Sequence, residues 1–147
     1  MTDATPPAAR PPLELPHYGA PWSEAMRRFF LKYATFRGRA SRSEFWWWIL
    51  TGFVVTTALD TLSTLNTGGR DPMDIAGRFD IVDPWSAVNS ILQLAVFIPS
   101  LAVSWRRLHD IDRSGAWSFF FLVPLAGPIV YVIMTASGPR PTGARFD

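Results

Sequence analysis

The sequence predicts an all-α integral membrane protein, with an amphipathic interfacial helix followed by three transmembrane helices, the third kinked or broken. Three observations carry that expectation. Thirteen of the 14 Lys and Arg residues lie in the tails or between three long apolar runs, the exception being Arg106 at a run's edge. The stretch SRSEFWWWIL (41–50) sets three consecutive tryptophans behind a charge cluster; three neighbours on a helix point in three directions, so something apolar must surround them. The averages, 48% apolar and 18% charged over 147 residues, are near the globular norm, so the signal lies in the segregation of charge.

Residues 1–21 hold six prolines and little that could build a core, which predicts a disordered proline-rich tail ahead of a membrane domain over 22–147. No apolar h-region precedes a cleavage site there, so insertion is expected to rest on the internal segments. In WSEAMRRFFLKY, Trp22, Met26, Phe29, Phe30 and Tyr33 fall at helical spacing while Glu24, Arg27, Arg28 and Lys32 occupy the other side. A basic helix on an anionic membrane surface explains both faces; a helix packed on the protein's own loops is the alternative.

Ser41 and Glu44 have the spacing of a capping box, which starts a helix at Arg42 and puts Trp46, Trp47 and Trp48 at headgroup depth. The first span, 45–65, is about 31 Å long at helical rise, enough to cross a hydrocarbon core of about 30 Å. A turn-rich, solvated loop follows over 66–84. The second span, 86–105, contains Asn89, Gln93 and Pro99 and is expected to face other helices. The third, 117–136, is interrupted by Pro124, Gly127 and Pro128. Seven basic residues precede the first span, which puts the N-terminus and the 106–116 loop in the cytoplasm. Three crossings leave the C-terminus outside; a hairpin folding back at Pro124–Pro128 would return it.

With no cysteine, disulfides, thiol nucleophiles, iron–sulfur ligation and thioether-linked haem are excluded. The densest polar stretch is WRRLHDIDRSGAW (105–117). Asp110 to Gly115 matches the opening of a calcium-binding loop, but the twelfth position, where a bidentate glutamate belongs, is Phe121. His109 and Asp110 lack further metal ligands, and a Ser114–His109–Asp110 triad has no oxyanion site, so neither catalytic nor metal residues are expected. A cytoplasmic clamp is expected instead, pairing Glu44 with Arg106 and Arg107, and Arg39 or Arg42 with Asp110 or Asp112; Ser41 and Arg113 complete the cluster. The alternative is a phosphate pocket of Arg107, His109 and Arg113. Asp60 is the one acid inside a span, and Asn89 and Gln93 bracket its depth, which predicts an interhelical hydrogen bond or, alternatively, a protonatable transport site.

The order GRASRSEFWWW, then RRLHDIDRSGAW, then an apolar segment with internal Pro and Gly and a tail ending in ARF resembles the YhaH-like family of small bacterial inner-membrane proteins, domain of unknown function number 805, over about Trp22 to Phe146. The resemblance implies a few helices in the inner membrane and no assigned activity. The expected function is non-enzymatic: an accessory or scaffold subunit binding a membrane partner, with an oligomeric transporter or channel using Asp60 as the alternative and an enzyme on lipid phosphates using Arg107, His109 and Asp110 as a third. Expected partners are the bilayer and another membrane protein or further copies, with anionic lipid headgroups as a further candidate. Neither a cofactor nor nucleic acid is expected.

Overall fold

The computed structural model describes residues 11–67 and 83–147, and these are helical without strands. Residues 1–10 of the expected tail and most of the expected loop 66–84 lie outside the described residues.

Helix α1 (Trp22–Leu31) begins directly after Pro21, whose extended backbone, with ψ of 160°, leaves it outside the helix. Its buried stripe is the charged one: Glu24, Ala25, Arg28 and Phe29 face inward, while Trp22, Phe30 and Leu31 are exposed. Phe29 stacks on Trp48 at 3.6 Å between centroids and Trp22 Nε1 donates to Thr51 Oγ1 at 2.9 Å, so α1 lies against α2 (Arg42–Thr67). Just beyond α1, the Tyr33 hydroxyl donates to the Ala95 carbonyl of α3 (Pro84–Asp110).

Helix α2 starts where the capping pair predicts, but the box is half-made. The Glu44 N–H donates to Ser41 Oγ at 3.2 Å, whereas the Glu44 carboxylate accepts from the His17 N–H at 2.8 Å. The tryptophan triplet divides as helical geometry requires: Trp48 is buried in the core and Trp46 and Trp47 are exposed. Helix α3 is opened by Asp83, whose carboxylate accepts from Trp85 N at 2.9 Å, with Pro84 at the first helical position. Both helices are long and apolar enough to cross a membrane.

The third span differs from expectation. Residues Gly115–Leu122 form a 3-10 helix, the chain reverses at Val123–Leu125, and α4 (Ala126–Ala136) runs back against it. The reversal is tight, with the Gly127 N–H donating to Val123 O at 2.9 Å and a Cβ on Gly127 meeting Phe120 O at 2.3 Å. Leu125, at the tip, has a φ of 63° and is 88% exposed. Each arm is roughly 16 Å long at its own rise, about half a bilayer core. Both ends meet the same end of α3: Arg113 N donates to Leu108 O at 2.9 Å before the hairpin, and Arg140 N to Asp110 O at 2.8 Å after it. Prolines 124 and 128 break the segment as predicted, but into a hairpin rather than a kinked helix running one way.

Residues 11–20, expected in the disordered tail, instead form a strap over the charged stripe of α1. The core sits below it, where Phe29, Ala40, Phe45, Trp48 and Val103 cluster at the junction of α1, α2 and α3.

Candidate functional site

Two polar clusters occupy the charged end of the helices, and consecutive arginines of α3 anchor them. Arg107, wholly buried, donates through Nε to Thr135 O at 2.8 Å, through Nη2 to Ser137 O and through Nη1 to the Asp110 carboxylate. Asp110 accepts in addition from the Tyr18 hydroxyl of the strap at 2.6 Å. Burial, followed by that hydrogen bond to a carboxylate, pushes Tyr18 up to about 12. One guanidinium and one carboxylate thereby hold the end of α3, the end of α4 and the strap together.

The C-terminal residues close this cluster. The Pro141–Phe146 3-10 turn brings Arg39 to Asp147, with Nε and Nη2 donating at 2.7 and 2.6 Å, an arrangement that holds Arg39 above its ordinary value. Gly38, at φ 79°, donates to Phe146 O at 2.9 Å, and its own carbonyl accepts from His109 Nδ1 at 3.1 Å. The His109 ring stacks on Phe146 at 4.1 Å, and burial lowers its pKa. Gly143 is required there, because a Cβ would lie 2.5 Å from His109 O.

The second cluster is built on the inward face of α1, where Glu24, Arg28 and Lys32 recur at one-turn spacing. Arg28 donates to Glu24 at 3.1 Å and to Glu44 at 3.3 Å, and further donors reach Leu15 O at 2.8 Å, Pro12 O at 3.2 Å and Pro11 O on the strap. Arg106, 1% exposed, makes one hydrogen bond among the described residues, from Nε to Ala102 O at 3.3 Å; its Nη2 has none. Lys32 is 6% exposed, and burial together with the Arg106 charge lowers it to about 8.

Several expected pairings are replaced. Glu44 meets Arg28 and the strap rather than forming an ion pair with Arg106 or Arg107. Arg39 makes the expected ion pair with Asp110, at 3.9 Å, and a closer one with Asp147, while Arg42 is exposed with neither Asp110 nor Asp112 as partner. Ser41 Oγ donates to His17 O at 2.7 Å. Asp112 accepts from the Thr142 hydroxyl at 2.8 Å and forms an ion pair with Arg145 at 2.8 Å, and Arg113 lies over the Trp117 ring at 5.4 Å. Arg107, His109 and Arg113 therefore do not converge as a phosphate pocket, since each has a different partner. At the other end of the helices Asn89 Nδ2 donates to Asp60 at 2.7 Å, beside a Ser63 to Asp83 bond of 2.6 Å. Gln93, one turn further along α3, makes no hydrogen bond to Asp60.

The residues that sequence reasoning missed are Arg28, His17, Tyr18, Thr135 and Asp147. The one-turn spacing of Glu24, Arg28 and Lys32 was visible but reads equally well as a solvated face. The strap and tail contacts are made by irregular backbone, which has no periodicity to read.

These features define a small helical membrane protein with two long apolar helices, a helical hairpin and a charged end covered by residues 11–20 and the C-terminal turn. The family model "Protein of unknown function (DUF805)" matches residues 33–147, and the chain belongs to that family. It is similar to "Inner membrane protein YhaH" of Escherichia coli K12, 35% identical over 114 residues, which is 78% of this chain and 85% of that one. "Inner membrane protein YhaI" of the same organism is 33% identical over 101 residues, covering 69% of this chain and 73% of its own. "Uncharacterized protein YiiR" is 32% identical over 89 residues, 60% of this chain and 50% of its own. No solved structure matches. Relatives and apolar helices together make this an inner-membrane protein.

Proposed function

We propose that the protein is a non-enzymatic inner-membrane subunit that crosses twice, dips a half-depth hairpin into the bilayer, keeps both termini in the cytoplasm and works by binding a membrane partner. With the hairpin re-entrant, 12 of the 14 basic residues fall on the cytoplasmic side and two in the 66–84 loop, a stronger positive-inside bias than three crossings give. In this arrangement α1 is interfacial, its exposed Trp22, Phe30 and Leu31 facing lipid. The observation that carries the non-enzymatic reading is that the side chains nearest to chemistry are engaged in holding the fold: Arg107, Asp110 and His109 each bind backbone or side chains of other segments. Small polar residues such as Gly52, Thr56 and Ser100 supply places for close helix contact.

Purification of the tagged full chain in mild detergent, with the mass of the intact particle and identification of what accompanies it, tests the reading. A stoichiometric unrelated membrane protein is the expected result. A clean homo-oligomer favours the second reading, a small transporter using Asp60. That reading draws on Asn89, 3% exposed, whose Oδ1 has no partner beside the carboxylate; Asp60→Asn should then abolish a measurable flux in a folded protein. A reporter fused after Asp147 should be active in the cytoplasm; activity only on the far side would refute the hairpin topology.

A further inference from the structure

The cluster under the strap is charged out of balance. Among the described residues its deeply buried members are Arg28, Lys32 and Arg106 with Glu24 and Glu44, three cations to two anions. Arg28 is saturated, but Arg106 and Lys32 are not. Arg106 makes one hydrogen bond among the described residues, from Nε, and its Nη2 is buried without a partner, while Lys32 is 6% exposed and makes no side-chain hydrogen bond among those residues. A guanidinium nitrogen buried without an acceptor is costly unless something accepts from it. Oε2 of Glu44 is likewise buried without a partner, and a carboxylate oxygen needs a donor. Lys32 and Arg106 both lie within electrostatic reach of Glu44 and of Arg28.

The complement of two idle cations and one idle carboxylate oxygen is an anion that also carries a hydrogen-bond donor. A phosphate diester bearing a hydroxyl or an ammonium has that form: its oxygens accept from Arg106 and Lys32, and its donor reaches Glu44. The position suits a lipid. Arg106 follows the last turn of the apolar run on α3, and Trp46 and Trp47 mark the headgroup level on α2. The strap already covers this cradle in the manner of such a ligand: three carbonyl oxygens, from Pro11, Pro12 and Leu15, sit on Arg28, and Glu14 adds a carboxylate within electrostatic reach of Lys32.

We infer that Lys32, Arg106 and Glu44, between α1, the start of α2 and the end of α3, form a binding site for a phosphate headgroup carrying a hydrogen-bond donor, with residues 11–20 as its cover. This inference does not depend on the partner reading, since a lipid is retained or lost whatever protein accompanies the chain.

The test uses delipidated full-length protein and intact-mass measurement of the lipid it retains from phosphatidylglycerol, phosphatidylethanolamine or phosphatidylcholine, with inorganic phosphate as competitor. One retained lipid is expected, with phosphatidylglycerol or phosphatidylethanolamine about tenfold ahead of phosphatidylcholine, whose headgroup has no donor. Lys32→Gln and Arg106→Gln should each lower retention about tenfold, and exposed Arg113→Gln should leave it unchanged. Tyr18→Phe, which loosens the strap, should raise it. Displacement by millimolar inorganic phosphate would assign the site to free phosphate. Equal retention of all three lipids, or retention indifferent to Lys32→Gln and Arg106→Gln, would overturn the site and leave bridging water in its place. Should either variant fail to fold, the wild-type lipid panel still decides: no difference among the lipids refutes the inference.

Discussion

Arg106 and Arg107 are neighbours in sequence and almost equally buried, yet they sit in differently built regions. Around Arg107 the chain supplies two carbonyls and a carboxylate, and three segments depend on one guanidinium. Around Arg106 it supplies one carbonyl from the preceding turn. Burial alone says that a charge must be compensated; only the partner list says whether the fold itself does it. The Arg107 region is a lock, and the Arg106 region has the form of a receptacle.

Substitution separates the two. Arg107→Met strips buried Asp110 of its closest cation, leaving it the Tyr18 hydroxyl and Arg39 at 3.9 Å, releases the hairpin end, and should cost about 3–5 kcal/mol, read as a large fall in the thermal unfolding midpoint of the purified protein. Next in size, Gly143→Ala forces a Cβ to 2.5 Å from His109 O and should cost about 1–3 kcal/mol, with loss of the His109–Phe146 stack visible in the aromatic NMR spectrum. Arg106→Met, at the same depth, should leave the delipidated protein as stable as before or more stable, by up to about 4 kcal/mol, because a buried charge with few partners is replaced well by an apolar side chain. A cost equal to that of Arg107→Met would erase the distinction.

A further difference is in pH. Lys32 faces Arg28 on its own helix, Glu44 on α2, Arg106 on α3 and Glu14 on the strap. Its folded pKa of about 8 lies below the unfolded 10.5, so the unfolded chain binds the extra proton and stability rises with pH between those values. Lys32→Met should flatten the unfolding midpoint across that window, whereas an unchanged slope would place the titration elsewhere. His109, also lowered by burial, acts in the same direction in acid: stability is present above the unfolded value and falls as pH drops through it.

How far the sequence was legible follows the same division. The two long helices, the start of α2 at Arg42 and the break at Pro124–Pro128 are written in apolar run length, in the Ser41–Glu44 spacing and in proline placement, all local signals. The juxtaposition of Asp60 with Asn89 followed from depth, because helical rise converts residue number into position across a bilayer. What stayed hidden depends on direction. Sequence cannot tell whether a broken apolar segment continues or turns back, and the reversal at Leu125 decides where the last residues go. Glu44 facing Arg28 rather than Arg106 was equally unreadable, since it requires knowing which face of α1 turns inward.

The junction of Gly38 with Phe146 and of Arg39 with Asp147 has one further consequence. The beginning and the end of the region shared with the family touch each other, so that region is closed like a ring, and added sequence at either edge emerges at one spot without disturbing the helices. A unit with that property is a cassette. It can carry a leading strap, as it does in this chain.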